Sequence, residues 1–219
     1  VNHLRNILCK DVDKGIDIDK TTLLSLPFPT EGRQALLHEL LAPYQFSPVL
    51  SDIFAGFSKD PGSIFESRDY IATHTAKGLS IRMKPKHCPP LALPFNDTVL
   101  LPNGTLLQTQ CLARTELPEI PRSADTACLD ADKVKETLHC RSIQEGDRFR
   151  PFGMRGTKLV SDYLTDRKRS RIEKMAACVV CDGSKIVWLI GERPDDRYAI
   201  TSNTRNILLI KAKKAESTE

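Results

Sequence analysis

The chain has 219 residues, of which 40% are hydrophobic and 27% are charged, so it can form packed cores in two small domains. Seven cysteines are an odd number in a chain of this size, which argues against a disulfide framework and favours a reducing cytoplasm. No stretch approaches the roughly 20 apolar residues that span a bilayer, and no segment has the pattern of a signal peptide. We therefore expect a cytoplasmic protein with no membrane partner.

The net charge of +4 is unevenly distributed along the chain. Residues 141–219 carry 17 Lys and Arg against 11 Asp and Glu, a net charge of +6, which leaves a net charge of −2 for residues 1–140. Such an asymmetry indicates an anionic partner for the second half of the chain.

Residues 1–85 are predicted to form a small helical domain that ends in a β-hairpin. Asp19 lies where it can cap a short helix with Leu23 on its buried face. Leucines at helical spacing predict a second helix, and they are Leu36, Leu37, Leu40 and Leu41. Ser47 and Pro48 have the residue types expected of an N-cap and a first helical position. The hairpin is predicted from short apolar runs at 64–65, 70–73 and 79–81.

Residues 86–96 contain three prolines and are predicted to link this domain to a second one. Residues 97–214 are predicted to form that second, β-rich domain, and residues 215–219 a disordered tail. Asn103-Gly104 and Asp182-Gly183 each separate two apolar runs, a pattern typical of β-hairpins.

A last short strand is predicted at 207–210, and the tail is expected to fray from Lys211. One amphipathic helix is predicted, with Thr157 as its cap and a buried face made of Leu159, Val160, Tyr163 and Leu164. The predicted fold class is therefore α+β, with a small helical domain with a β-hairpin followed by a β-rich domain with one or two short helices.

The pair Cys178 and Cys181 is the first candidate for a metal or redox site. Zinc would need two further ligands, and the other cysteines and histidines show no repeated ligand spacing. Residues three apart on a strand lie on opposite faces, so these two cysteines are poorly placed to bind the same metal ion. A redox role would need the pair at the start of a helix, and here an Asp-Gly turn follows it. We therefore predict core packing for the pair, and no metal site and no catalytic residue in the chain.

The most distinctive stretch is Gly146–Lys168, GDRFRPFGMRGTKLVSDYLTDRK, and its cations continue to Lys174. We call residues 146–174 the basic segment. Clustered cations on a glycine-containing scaffold are typical of a surface that binds nucleic-acid phosphates, and such contacts set position without reading sequence. A solvated charged face is the alternative. The candidate RNA-binding residues are Arg148, Arg150, Arg155, Lys158, Arg167, Lys168, Arg169, Arg171 and Lys174.

This stretch and the later segment KIVWLIGERPDDRYAIT, followed by Thr204, resemble the C-terminal domain of bacterial tRNA(Ile)-lysidine synthetases. That family shows a G-D-R-F…P-x-G-M…G…K-[LV]-S-D-[FY] signature and then an I-[VL]-W-x-x-G element. Residues 146–163 match the first pattern. Residues 186–191 match the second, which closes with a basic residue and an aromatic, matched here by Arg193, Arg197 and Tyr198. The first 85 residues are similar to the small middle domain of the same family.

The resemblance implies an enzyme that uses ATP to join lysine to the wobble cytidine of an isoleucine tRNA. The chemistry of the family lies in an N-terminal ATP-pyrophosphatase domain with an S-G-G-x-D-S loop, which this sequence lacks. We therefore expect the chain to be the excised C-terminal, tRNA-recognising part of such a ligase. It would hold no cofactor itself, since ATP and Mg²⁺ are expected in the N-terminal domain.

The expected partner is an isoleucine tRNA, with a homodimer as an additional candidate assembly. Two other interpretations stay open. The chain is a non-catalytic protein-interaction or dimerisation module whose cations only solvate its surface, or it contains a zinc-stabilised domain.

Overall fold

The computed structural model describes residues 2–12, 14–46, 49–59, 61–117, 119–121 and 123–215. The chain divides into two compact units, Val1–Lys84 and Pro85–Glu219, and each is described by itself. Within the described part of the chain, no helix combines the length and the apolar composition needed to cross a bilayer.

The first unit packs helices against one antiparallel sheet with the strand order β1-β2-β5-β4-β3. Leu37 and Ile53 from the helices share a core cluster with Ile18 and Ile81 from the strands. Its elements are α1 (Asn2–Leu8), β1 (Cys9–Val12), β2 (Gly15–Asp19), α2 (Lys20–Ser25), α3 (Thr30–Leu41), α4 (Leu50–Gly56), β3 (Ile64–Glu66), β4 (Tyr70–Thr75) and β5 (Gly78–Met83).

The predicted helices and hairpin strands of the first unit are present. Asp19 caps α2, since its carboxylate accepts the backbone N–H of Thr22 at 2.7 Å. All four leucines of α3 are buried. The predicted cap at Ser47 and Pro48 lies outside the described residues. The β1–β2 hairpin was not predicted, although the alternation of apolar and acidic residues from 16 to 19 is the pattern of a half-buried strand.

The second unit contains two four-stranded sheets, with the orders β7-β8-β15-β9 and β14-β13-β10-β6, and a two-stranded sheet β11-β12. Its elements are β6 (Leu91–Ala92), β7 (Thr98–Leu100), β8 (Thr105–Ala113), β9 (Thr126–Asp130), β10 (Leu138–Ser142), β11 (Arg148–Phe149), β12 (Lys158–Leu159), α5 (Val160–Asp166), α6 (Arg171–Ala176), β13 (Cys178–Asp182), β14 (Lys185–Leu189) and β15 (Asn206–Lys214).

Strand β13 is buried on both faces and explains the two apolar clusters of this unit. Val180 belongs to the cluster shared by the two four-stranded sheets, together with Leu208 of β15. Val179 belongs to a second cluster, which α5 covers with Tyr163 and Leu164. Successive residues of a strand point to opposite faces, so β13 contributes to both clusters in turn. The predicted α+β class is confirmed.

The prediction that residues 86–96 form a linker was wrong. This segment belongs to the second unit, where β6 pairs with β10 and the side chains of Cys88 and Leu93 are fully buried. Prolines are tolerated next to an edge strand, because one side of such a strand needs no ladder hydrogen bond. The apolar residues between the prolines, and not the prolines themselves, decided where this segment lies.

The C-terminal strand is longer than predicted, because Lys211–Lys214 continue β15 and pair with β8 as far as Thr105. Fraying from Lys211 was therefore wrong. Ala215, the first residue of the predicted tail, still donates its N–H to the carbonyl of Gly104 at 2.8 Å, and residues 216–219 lie outside the described part. Thr157 does not cap α5, whose N-cap is Leu159 without a side-chain hydrogen bond.

Candidate nucleic-acid interface

The basic segment begins with a short hairpin whose loop is turned by two glycines. Strand β11 pairs with β12, so residues 150–157 form the loop. Gly153 and Gly156 have φ angles of 76° and 83°, in the left-handed region that favours glycine. Below the loop, the buried ring of Phe149 packs edge-on against Tyr163, with 5.2 Å between the ring centroids. The hairpin is therefore seated on α5.

A buried carboxylate anchors the first half of this loop. Asp195 has no exposed surface and accepts the backbone N–H of Arg150 at 2.8 Å. Its charge is balanced by an ion pair with Arg197, also at 2.8 Å. The N–H of Phe152 donates to the carbonyl of Pro194 at 2.9 Å. The backbone is thus fixed while the side chain of Phe152 stays 50% exposed.

A second carboxylate fixes the start of the segment. The guanidinium of Arg141 donates to both oxygens of Asp147, at 2.8 and 2.9 Å, and both side chains are about nine-tenths buried. This hydrogen bonding raises the pKa of Arg141, so the guanidinium keeps its charge. Asp147 also accepts the N–H of Gln144 at 2.8 Å. Arg141 is therefore a structural cation, unavailable to a ligand.

Helix α5 ends in a turn made by Lys168, whose φ of 55° lies in the left-handed region. The N–H of Lys168 donates to the carbonyl of Thr165 at 2.8 Å, and that of Arg169 to the carbonyl of Leu164 at 2.9 Å. Glycine or asparagine is usual at this position of a helix end. The turn leaves the Lys168 side chain exposed and directs Arg169 towards Glu192.

Glu192 holds two of the candidate cations. Its side chain is only 5% exposed, and its carboxylate pairs with Arg169 at 2.6 Å and with Arg167 at 3.3 Å. The hydrogen bond to Glu192 raises the pKa of Arg169. Burial, and then the charge of Glu192, raises the pKa of Tyr163, whose hydroxyl donates to the same carboxylate at 3.5 Å. Arg167 and Arg169 remain 57% and 37% exposed, but their charge is partly balanced.

The last turn of the segment, α6, begins with a capping box. Ser170 donates its N–H to Glu173 at 2.8 Å, and the N–H of Glu173 donates to the Ser170 hydroxyl at 3.3 Å. Hydrogen bonds from the backbone and hydroxyl of Ser170 hold the pKa of Glu173 below its usual value. Glu173 also pairs with Arg169 at 3.0 Å. Lys174 donates to the hydroxyl of Thr165 at 2.8 Å.

The other candidates differ in whether a carboxylate faces them. Lys158 pairs with Asp166, and Arg150 pairs with Asp196 at 3.5 Å. Arg171 is exposed at the start of α6. In the part of the chain that the structure describes, three exposed candidates have no carboxylate within ion-pair distance, and they are Arg148, Arg155 and Lys168.

The hairpin loop combines free charge with exposed apolar surface. Phe152 and Met154 are 50% and 38% exposed, and Arg155 follows directly. An exposed aromatic ring beside cations can stack on a base while the cations contact phosphates. The sequence identified the cations but not the roles of Glu192 and Asp195. These two acids are distant in sequence from the residues that they contact, and only the fold brings them together.

Curated proteins from several bacteria match most of the chain. The chain is 38% identical over 202 residues to the tRNA(Ile)-lysidine synthase of Bacteroides thetaiotaomicron, covering 90% of this chain and 43% of that protein. It is 34% identical over 203 residues to the tRNA(Ile)-lysidine synthase of Parabacteroides distasonis, covering 86% of this chain and 42% of that protein. The chain is similar to the C-terminal part of tRNA(Ile)-lysidine synthases. It spans less than half the length of these relatives.

Two further comparisons match parts of the chain. The family model of the TilS substrate-binding domain matches residues 11–82, inside the first unit. A solved structure of a TilS C-terminal domain matches with a TM-score of 0.54 and 23% identity, covering 60% of this chain and all of that one. At this identity the match establishes the fold alone. The resemblance predicted from the sequence is confirmed.

Proposed function

We propose that the chain is the tRNA-recognition portion of a tRNA(Ile)-lysidine synthase. Such an enzyme ligates lysine to the wobble cytidine of an isoleucine tRNA and uses ATP. The observation that carries the proposal is the 38% identity over 90% of the chain to a protein of that name. The identity extends through both units, so it is not the property of one common module.

In this proposal both units contribute to recognition. The match of the substrate-binding domain to residues 11–82 supports a role for the first unit. In the second unit, the basic segment would contact the sugar-phosphate backbone. Free cations would contribute most, since each phosphate that they neutralise releases counterions. The ion-paired members of the candidate set would mainly shape the surface.

ATP and Mg²⁺ belong, in this proposal, to a catalytic domain of the whole enzyme and not to these residues. The sequence lacks an S-G-G-x-D-S loop and a Walker-type phosphate-binding loop, so no step of lysine activation is assigned to it. We propose a cytoplasmic location, which suits seven free cysteines.

Binding to tRNA is the direct test. The purified chain would be titrated with an isoleucine tRNA carrying a wobble cytidine, with a tRNA of another amino-acid identity, and with heparin as a plain polyanion. We expect the isoleucine tRNA to bind more tightly than both competitors at about 0.15 M salt, because specific recognition adds contacts to the charge attraction that all three polyanions share. Equal affinity for all three would reduce the proposal to general polyanion binding, and no binding would refute it.

The comparisons do not favour a protein-interaction or dimerisation module in place of tRNA recognition. A homodimer that also binds tRNA is compatible with the proposal. Sedimentation velocity over a hundredfold range of protein concentration, with and without tRNA, would measure the assembly. A monomer throughout excludes the homodimer and leaves tRNA recognition untouched.

A further inference from the structure

Three cysteines from distant parts of the second unit meet in its core. Cys88 precedes β6, Cys140 lies in β10 and Cys178 lies in β13. Their sulfur atoms all lie within 4.8 Å of one another, and the side chains are 0%, 0% and 4% exposed. Cys181, the partner suggested by the sequence spacing, lies in the other apolar cluster with α5. The cluster is therefore a product of the fold and not of a sequence motif.

Strand pairing explains why the three sulfur atoms converge. Cys178 lies directly opposite Ser142 across the β10–β13 pair, and Cys140 is two residues away on the same face. Cys88 runs beside β10, since its N–H donates to the Ser142 hydroxyl and its carbonyl accepts the Ser142 N–H, both at 2.9 Å. These two hydrogen bonds and the β10–β13 pairing thus hold all three Cα positions around Ser142.

The spacing suits a thiolate metal site. A zinc–sulfur bond is about 2.3 Å, so two sulfur ligands of one tetrahedral zinc ion lie about 3.8 Å apart. This separation falls within the 4.8 Å limit of the cluster. Small side-chain rotations would therefore seat an ion without moving the strands.

A cavity reaches the cysteine cluster at Cys178. Cys178 and Asn103 line a cavity of about 300 Å³ within the second unit. The side-chain nitrogen of Asn103 lies 3.9 Å from the sulfur of Cys178. A water entering from this cavity would supply the fourth ligand of an ion held by the three sulfur atoms. An open fourth position is a common feature of zinc sites with three protein ligands.

We propose that Cys88, Cys140 and Cys178 bind one zinc ion. Binding forms three zinc–sulfur bonds and releases three thiol protons to solvent. The thiol protons of Cys88 and Cys178 otherwise face the carbonyls of Pro89 and Ala176, at 3.5 and 3.6 Å. Three thiolates leave a net charge of −1 with Zn²⁺ and −2 with Cu⁺, and burial favours the smaller charge. The ion would fasten the segment before β6 to β10 and β13.

Zinc retention by the full chain is the first test. The chain, purified under reducing conditions without chelator, is expected to hold one zinc per molecule by elemental analysis. Zinc titration against a chromophoric chelator is expected to give a dissociation constant below about 1 µM. Stoichiometric zinc supports the site. A zinc content near zero together with a dissociation constant above about 100 µM would overturn it, and the three thiols would then be apolar core residues.

Variants then locate the bound ion. Cys140→Ser and Cys178→Ser are expected to weaken zinc binding at least about 100-fold, because changes to outer-shell partners alone cost about 10–100-fold. Cys181→Ser is the matched control, since it is equally buried on the same strand but faces away. Cys111→Ser is a milder control at a half-buried cysteine. Equal zinc binding by all four variants would place the ion elsewhere and refute the proposal.

Cobalt provides a measurement that needs no variant. Cobalt bound by three thiolates has strong sulfur-to-cobalt charge-transfer absorption and tetrahedral d–d bands. We expect both spectra with one equivalent of Co²⁺ added to the reduced wild-type chain, and their loss on adding zinc. A spectrum of octahedral, oxygen-ligated cobalt would contradict the site even if a cysteine variant failed to fold.

Discussion

The basic segment contains two sets of cations that look alike in the sequence and differ in the structure. Arg148 and Arg155, in and beside the hairpin loop, are exposed, with no carboxylate partner in the described part of the chain. Arg167 and Arg169, after α5, both pair with the buried Glu192. A free arginine keeps its charge for a phosphate, whereas a paired one must leave a buried carboxylate behind.

Local charge density in the sequence therefore does not decide which cations are available to a ligand. The arginines after α5 are denser in the sequence than those of the hairpin, yet they are the ones that the fold engages. Arg148 and Arg155 have no carboxylate partner in the described part of the chain, and the buried Asp195 accepts the backbone N–H of Arg150 and pairs with Arg197.

The largest expected effect follows from removing the three free cations. With Arg148→Gln, Arg155→Gln and Lys168→Gly combined, we expect tRNA affinity to fall about 100-fold at 0.1 M salt. The slope of log K against log salt should decrease by about 2 to 3, because each phosphate contact contributes about 0.7 to 0.9. Fluorescence anisotropy across a salt series measures both.

A second triple variant with the same change in net charge tests whether the position of the cations, and not only their number, decides the tRNA affinity. Lys185, Lys213 and Lys214 are exposed and lie outside the basic segment, so their replacement by Gln should change the slope by less than about 1. If both triple variants lose the same affinity, binding depends on overall charge and the distinction between free and paired cations is wrong.

The next effect concerns stability. Arg167→Gln with Arg169→Gln should lower the free energy of unfolding by about 1–2 kcal/mol, since Glu192 is left buried without its cations. The loss of tRNA affinity should stay below about tenfold. Denaturant unfolding measures the first quantity and anisotropy the second.

Adding Glu192→Gln to this double variant should restore most of the stability, because a neutral amide needs no cation. Continued instability of the triple variant would mean that the arginines act through packing of their side chains and not through the buried charge.

A smaller effect is expected at the end of α5. Lys168→Gly should raise the free energy of unfolding by about 0.5–1 kcal/mol, because glycine adopts the φ of 55° without strain. Lys168→Ala removes the same charge but keeps the strain, so thermal unfolding of the two variants isolates the backbone term. Equal stability of the two variants would show that the left-handed angle at residue 168 does not lower the free energy of unfolding.

The smallest effect is a pH dependence at Glu173. Its pKa is depressed in the folded chain by hydrogen bonds from Ser170, so its contribution is complete above the unfolded pKa of about 4.3 and is lost as the pH falls through the lower folded value. We expect about 0.5 kcal/mol or less, since the side chain is 49% exposed. Acid titration of stability should show this component in the wild type and not in Glu173→Gln.

Local signals in the sequence determined much of the fold. Asn103-Gly104 and Asp182-Gly183 predicted two hairpins that are present, with Gly104 and Gly183 at φ angles of 81° and 55° in the left-handed region. The leucine spacing of α3 predicted its buried face. Residues 86–96 were misjudged, since an edge strand of two residues carries almost no periodic signal and depends on pairing with β10.

The candidate interface was predicted only in part. The sequence identified every cation and both glycines of the hairpin loop, since charge and turn chemistry are properties of single residues. It did not identify which cations are paired, because Glu192 contacts Arg167 and Arg169 across an intervening hairpin of β13 and β14.

By itself, the sequence determined the fold class, the resemblance to tRNA(Ile)-lysidine synthases and the position of the basic segment. Only the tertiary structure separated free cations from paired ones and brought Cys88, Cys140 and Cys178 together. The physical reason is the range of the interactions. Turns, caps and periodic faces depend on neighbours a few residues away, whereas a buried ion pair or a thiol cluster depends on strands that meet only after the core has formed.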